Sequence, residues 1–285
     1  MQSQGSRATK SAEIANSHEM WYKIAMPVYK HTEKCMVCGS ALEYLLQEAE
    51  GRICIYCNSA ERGHVVCAAG HFVCDSCHGL EARVMIEQIA STSSEKDPLA
   101  MAELMISHAG LPMLGCEHAF IAAGSLIGAL KNSLYGKGHV TNATVREVFD
   151  RTAKQAAGGF CGLTGVCGIA PALGACFSVF LGARCGSDSE QKIVMDAVIR
   201  VMQSLSAITG PSCCKAYVRT GLREAVVLFG ERFGILLPVK DRTIICKHSE
   251  KHPHGCREEK CPYFQKPVKD LFSGTVFVPG TICTS

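Results

Sequence analysis

Eighteen cysteines and eleven histidines recur along this 285-residue chain at spacings that suit metal ligation. The densest run reads Cys35-x2-Cys38, fifteen residues, Cys54-x2-Cys57, nine residues, then Cys67-x3-His71-x2-Cys74-x2-Cys77. Each CxxC pair puts two sulfurs on one tight turn, at the separation a tetrahedral zinc ion needs. Eight ligands suffice for two closed zinc sites, and the spacing leaves sequential and cross-braced pairing both open. His64 and His78 read as surface or supporting residues. A second run lies near the C-terminus: Cys246, His248, Cys256 and Cys261, with His252 and His254 between them. It suits a zinc site or, through its three cysteines, an iron–sulfur cluster with one open iron.

A third set of residues stands where helices are expected to start. Cys116 and His118 follow Gly115, Cys161 and Cys167 lie in the glycine-rich GGFCGLTGVCG, and Cys213 and Cys214 follow Gly210-Pro211. A helix N-terminus offers free N–H groups and a positive dipole end, which favour a thiolate. If the three starts converge, Cys116, Cys161, Cys167 and Cys213 could ligate a four-iron cluster. With Cys214 they could instead form a reactive thiol site, His118 and Glu117 acting as acid–base partners. The plainer alternative is that cysteine here packs as a small apolar side chain, the reading given to Cys176 and Cys185.

The elements that must position these residues follow from the apolar pattern. The stretch 158–183 carries no charge and, past its glycine-rich entrance, reads as a buried helix around which others pack. It is rich in glycine and poor in leucine, so a membrane span is not expected. Helices are also expected over 12–26, 79–90, 99–108, 116–134, 145–157, 189–207 and 211–230. Thr144-x-x-Glu147 serves as a capping box, and Ile193, Val194, Ala197, Val198, Val201, Met202 and Leu205 share one face of the 189–207 helix. Short strand-like runs are expected at 243–246 and 274–279. The polar STSSEKDP at 91–98 marks a boundary. The expected fold is mainly α. A tail and helix (1–30) precede a small zinc-knuckle module (31–90), a cysteine-rich helical bundle with a buried central helix (98–236) and an irregular Cys/His-rich segment (237–285).

The run Gly70-His71-Phe72-Val73-Cys74-Asp75-Ser76-Cys77 resembles the GHxxCxxC segment of RING-type and related treble-clef zinc fingers. The resemblance concerns metal geometry over about a dozen residues. No further CxxC pair follows Cys77 as a RING requires, so ubiquitin-ligase activity is not implied. The N-terminal CxxCG…CxxC…GHFVCDSCH, GCEHAF, GGFCGLTGVCG and the late CPYF together resemble an uncharacterised cysteine-rich family of anaerobic bacteria and archaea. That family occurs alone or fused to methyltransferase or radical-SAM domains. The resemblance spans about residues 35–265 and implies a role near sulfur, selenium or methyl metabolism, with such an enzyme as partner.

A net charge of +3 gives no electrostatic case for nucleic acid or an anionic membrane. The N-terminus lacks the apolar core of a signal peptide, and the CxxC pairs favour metal over disulfide, so a reducing cytoplasm, as in an anaerobe, is expected. Three functions are compatible with these residues. The first is a metal-binding accessory or redox protein holding zinc and an iron–sulfur cluster. The second is an iron–sulfur lyase or desulfidase with His118 as base and Cys161, Cys167 and Cys213 as ligands. The third is a zinc-scaffold interaction protein whose other thiols are inert.

Overall fold

A computed structural model describes residues 34–264, apart from positions 36–37, 39, 56–57, 75–76, 78, 109–110, 136–137, 209–211 and 241–243. The helix expected over 12–26, the ligand Cys57, His78, Pro211 and the run 274–279 lie outside the described residues. Two strands come first, β1 (Leu42–Ile53) and β2 (Ala60–Cys67), paired antiparallel from Leu42↔Cys67 to Ile53↔Ala60. This hairpin is absent from the sequence expectation. Leu46 is 96% exposed, and register shifts interrupt the ladder on either side of Ala49. With little buried on either face, the strands carry no clear period-two signal.

Eight helices follow among the described residues: α1 (Leu80–Thr92), α2 (Pro98–Ile106), α3 (Glu117–Asn132), α4 (Asn142–Ala153), α5 (Phe160–Leu163), α6 (Ile169–Leu181), α7 (Asp188–Ser206) and α8 (Cys214–Phe233). The mainly α bundle is as expected, but its central member is α3. Every residue from Glu117 to Leu130 is buried, and α1, α2, α4, α6 and α8 pack around it. Its small residues allow this: a Cβ on Gly128 would lie 3.0 Å from the Ala90 carbonyl oxygen of α1 and 2.9 Å from Met101 Sδ of α2. The uncharged stretch 158–183 differs from its expectation. Its entrance is exposed around α5, and only the first turns of α6 are fully buried, Ser178–Leu181 being half-exposed. Absence of charge marks a buried helix but not the axis, which is the helix buried on all sides.

Caps fix the remaining boundaries. Asp97 accepts from the N–H groups of Leu99 and Ala100 ahead of α2, with Pro98 in its first turn. The capping box of α4 is Thr141 with Thr144, so the helix starts three residues before the expected 145. On α7 the inward face is Ala197, Val201 and Leu205, flanked by half-buried Ile193, Val194, Val198 and Met202. Residues 244–246 form no strand, and the segment to 264 is irregular with two 3-10 turns, Ser249–Lys251 and Glu258–Lys260. Tyr263 pins this segment to α8: it is fully buried, 2.9 Å from Thr220 Oγ1 through its hydroxyl. No helix among the described residues is long and apolar enough to cross a membrane.

Candidate metal centres

The hairpin decides how the N-terminal ligands pair. Its Leu42↔Cys67 end brings the first CxxC turn beside Cys67 and His71, while Cys54 sits at the turn end. The two turns close alike, Cys35 N–H to Ser40 O at 2.8 Å and Cys54 N–H to Ser59 O at 2.9 Å. Ile55 N–H bonds Phe72 O at 3.0 Å, which draws Cys74 and Cys77 to the turn end. Phe72 lies over Gly63, where a Cβ would meet its ring at 2.8 Å. Two groups result, each with its ligand atoms within 4.8 Å of one another: Cys35, Cys38, Cys67 and His71; and Cys54, Cys74 and Cys77. The pairing is therefore cross-braced. Cys54 and Cys74 are fully buried. Cys38 Sγ lies 3.6 Å from Cys67 Sγ, and Cys67 Sγ lies 3.8 Å from His71 Nδ1. The Ser40 hydroxyl and backbone push the Cys38 thiol down to about 6, while burial pushes Cys67 up. The donor set, mostly thiolate with one imidazole, fits structural zinc. His64 stands apart, its Nδ1 3.1 Å from Leu45 O and its Nε2 3.6 Å from Glu48.

The module joins the bundle through Glu117. This carboxylate is 1% exposed, and a Cβ on Gly79 would lie 1.8 Å from its Oε1. Gly79 caps α1 at φ 72, two residues after Cys77, so glycine is required there by both backbone and space.

The expected helix-start residues divide. Cys116 caps α3 and is half-buried, Cys161 is exposed in α5, and Cys167 lies two residues before α6. Cys214 opens α8, accepts the Gly115 N–H, and faces Cys167 and Cys161 closely enough for their charges to raise its pKa. Burial pushes Cys214 up, as it pushes Cys167 to about 11, so both rest as neutral thiols. Cys213, the cap of α8, turns instead toward the C-terminal segment. Cys176 is a core thiol, donating to Ala123 O at 3.4 Å, whereas Cys185 is exposed and does not fill the core.

His118 does not have the surroundings of a base. It is fully buried, with Nδ1 3.1 Å from Gly115 O and Nε2 3.3 Å from Lys215 Nζ. A carbonyl can only accept, so Nδ1 carries the proton and Nε2 receives the lysine. Burial, then the Lys215 charge, push its pKa down to about 3. Burial and Arg219 likewise lower Lys215 to about 8.

Cys246, Cys256 and Cys261 line one small cavity at the start of α8, and Cys213 completes the ring. His248 is not in that ring. It lines a neighbouring cavity of about 120 Å³ with His108, Lys215 and Lys251. His252 also lines the first cavity, and its Nε2 donates to Ser212 O at 3.1 Å. The cations here escaped the sequence reading. Arg219 is almost fully buried and forms a two-pronged pair with Glu103 at 2.6 and 2.9 Å, while Arg257 lies over the Tyr217 ring. The available signal was Lys215 and Arg219, four apart on an otherwise apolar stripe of α8.

A family model described as a family of unknown function (DUF5714) matches residues 86–264. The chain belongs to that family. The DUF5714 match runs from the middle of α1 through the rest of the bundle and includes the helix-start cysteines and the cavity ring, and the cross-braced module lies outside it. No curated protein and no solved structure matches the chain.

Proposed function

We infer that this DUF5714 protein is a metal-binding, thiol-rich accessory or redox protein, working in a reducing cytoplasm near anaerobic sulfur or methyl metabolism. A methyltransferase or radical-SAM enzyme is its partner class, as the family resemblance suggests. The carrying observation is the cross-braced grouping of Cys35, Cys38, Cys67 and His71 beside Cys54, Cys74 and Cys77. Zinc fits both groups: Cys35, Cys38, Cys67 and His71 supply the four donors of a closed structural site, and by sequence spacing Cys57, the CxxC partner of Cys54, is the expected fourth ligand of the second. A lyase needs a base open to substrate, and a buried His118 held at both nitrogens does not supply one.

Metal analysis of the full chain purified without oxygen tests this reading. It expects about two zinc per chain, with Cys35→Ser and Cys54→Ser each losing about one. Equal loss of both ions from either variant would contradict two independent sites, and no zinc at all would overturn the reading.

A further inference from the structure

The ring of Cys213, Cys246, Cys256 and Cys261 has features that packing alone does not require. Each sulfur accepts a backbone N–H: Cys246 from His248 and Cys256 from Glu258, both at 3.4 Å, Cys261 from Tyr263, and Cys213 from Ala216. A neutral thiol is a weak acceptor, so four amides directed at four sulfurs around one void suit thiolates. Cations surround them. The Arg219 guanidinium also donates to Cys246, and the Arg257 charge reaches both Cys213 and Cys261. Both arginines are buried. The long helix α8 adds the positive end of its dipole at Cys213.

We propose that Cys213, Cys246, Cys256 and Cys261 bind a four-iron iron–sulfur cluster. This deepens the redox half of the reading above and does not depend on zinc in the N-terminal module. One observation favours a cluster over a third zinc. A single zinc with Zn–S bonds of about 2.3 Å holds its sulfurs roughly 3.8 Å apart. The N-terminal groups approach that gathering, within 4.8 Å; among the described residues no three of the four cavity sulfurs do. A cluster places iron and sulfide between its thiolates, so its sulfurs stand farther apart than those around one zinc. A helix cap and the irregular C-terminal segment supply the sulfurs. Four thiolates leave no iron open, which suits electron transfer or structure rather than substrate binding. Loading releases the thiol protons to solvent and takes up two ferrous ions, two ferric ions and four sulfides, which together give the oxidised core with no further oxidant.

The test reconstitutes the full chain anaerobically with equal amounts of ferrous and ferric iron and with sulfide. Iron, sulfide, zinc, visible absorption and helical circular dichroism are then measured. The expected result is about four iron and four sulfide per chain, with a visible band bleached by dithionite. Cys246→Ser and Cys256→Ser lose most of the iron and the band while keeping zinc and helix content; Cys161→Ser and Cys167→Ser keep all of them. A second variant, Arg257→Gln, leaves every ligand in place and shifts the reduction potential to more negative values, because a neighbouring positive charge is gone. A third zinc with neither iron nor sulfide overturns the proposal. So does iron retained by Cys246→Ser and lost from Cys161→Ser, or a potential unmoved in Arg257→Gln. Iron bound without zinc supports the cluster and sinks the N-terminal zinc reading alone.

Discussion

Acidifying the protein from about pH 7.5 to about pH 5.5 should cost it stability in a way that a His118 variant isolates. In the unfolded chain this imidazole titrates near 6.5, so it gains a proton across that interval. In the fold, burial and the charges of Lys215, Arg219 and His248 hold its pKa at about 3, opposed by the Gly115 carbonyl alone, so it stays neutral. The unfolded state therefore binds more protons, and stability falls as pH falls through 6.5. Integrating the unfolded titration over the interval gives a loss of about 1.4 kcal/mol. The figure does not depend on how far below 5.5 the folded value lies. Lys215, lowered to about 8, remains largely protonated in both states and contributes little to the difference. The assay is urea unfolding of the helical circular dichroism signal at both pH values, for the wild type and His118→Gln. Glutamine keeps a neutral polar partner for Lys215 and cannot titrate. The wild type should lose about 1.4 kcal/mol more than the variant over the interval. Equal losses would mean that His118 is protonated or solvated in the fold, refuting its place in the core.

Four further substitutions probe the packing that holds the sites. Gly128→Ala gains about 1 kcal/mol of helix propensity but drives a Cβ against the Ala90 carbonyl, so a net loss of about 1–2 kcal/mol is expected in denaturant titration. Gly162→Ala, with nothing within 4 Å of the new carbon, should be neutral or stabilising; a similar response of the two would show that α1 does not approach α3 closely. Gly79→Ala places a methyl group on Glu117 at a left-handed backbone position and should lower the melting temperature by several degrees, about 2–4 °C for each kcal/mol. Glu103→Gln leaves the Arg219 charge buried with a weaker partner, for about 2 kcal/mol of lost stability, discounted because Glu103 is partly exposed; a silent variant would place Arg219 in solvent.

The N-terminal groups were legible in the sequence because their ligands are local. Two CxxC turns and the Cys67–Cys77 run lie within 43 residues, and zinc stereochemistry limits what such spacing can hold. Their pairing was not legible, since it depends on a hairpin whose faces are too exposed to show alternation. The bundle was legible from helical periodicity and from proline at the start of α2. Its axis was not, because 158–183 matches α3 in lacking charge within its helix only from Ala119 to Leu130, and the burial of Glu117 and His118 breaks the hydropathy rule. The ring around Cys213 could not be read either. Its fourth member lies 33 residues upstream of Cys246, next to Cys214, and adjacent residues at a helix start look alike until the helix is placed.

That divergence separates two kinds of thiol chemistry across one turn of backbone. Cys214 faces inward to Gly115, Cys167 and Cys161, where burial keeps thiols neutral. Cys213 faces Cys246 and Cys261 with Arg219 and Arg257 beside them. Burial raises the pKa of Cys213 and Cys261 as well, but both arginine charges oppose that rise at Cys213, and Arg257 does so at Cys261. At Cys214 and Cys167 burial dominates and the charges of other sulfurs add to it, although Lys215 interacts electrostatically with Cys214. Proximity of cysteines is therefore a poor guide to ligation in this chain. The positions best able to carry thiolate charge are those where buried cations and backbone amides compensate it, and Arg219 and Arg257 supply that charge on the side that the C-terminal segment covers.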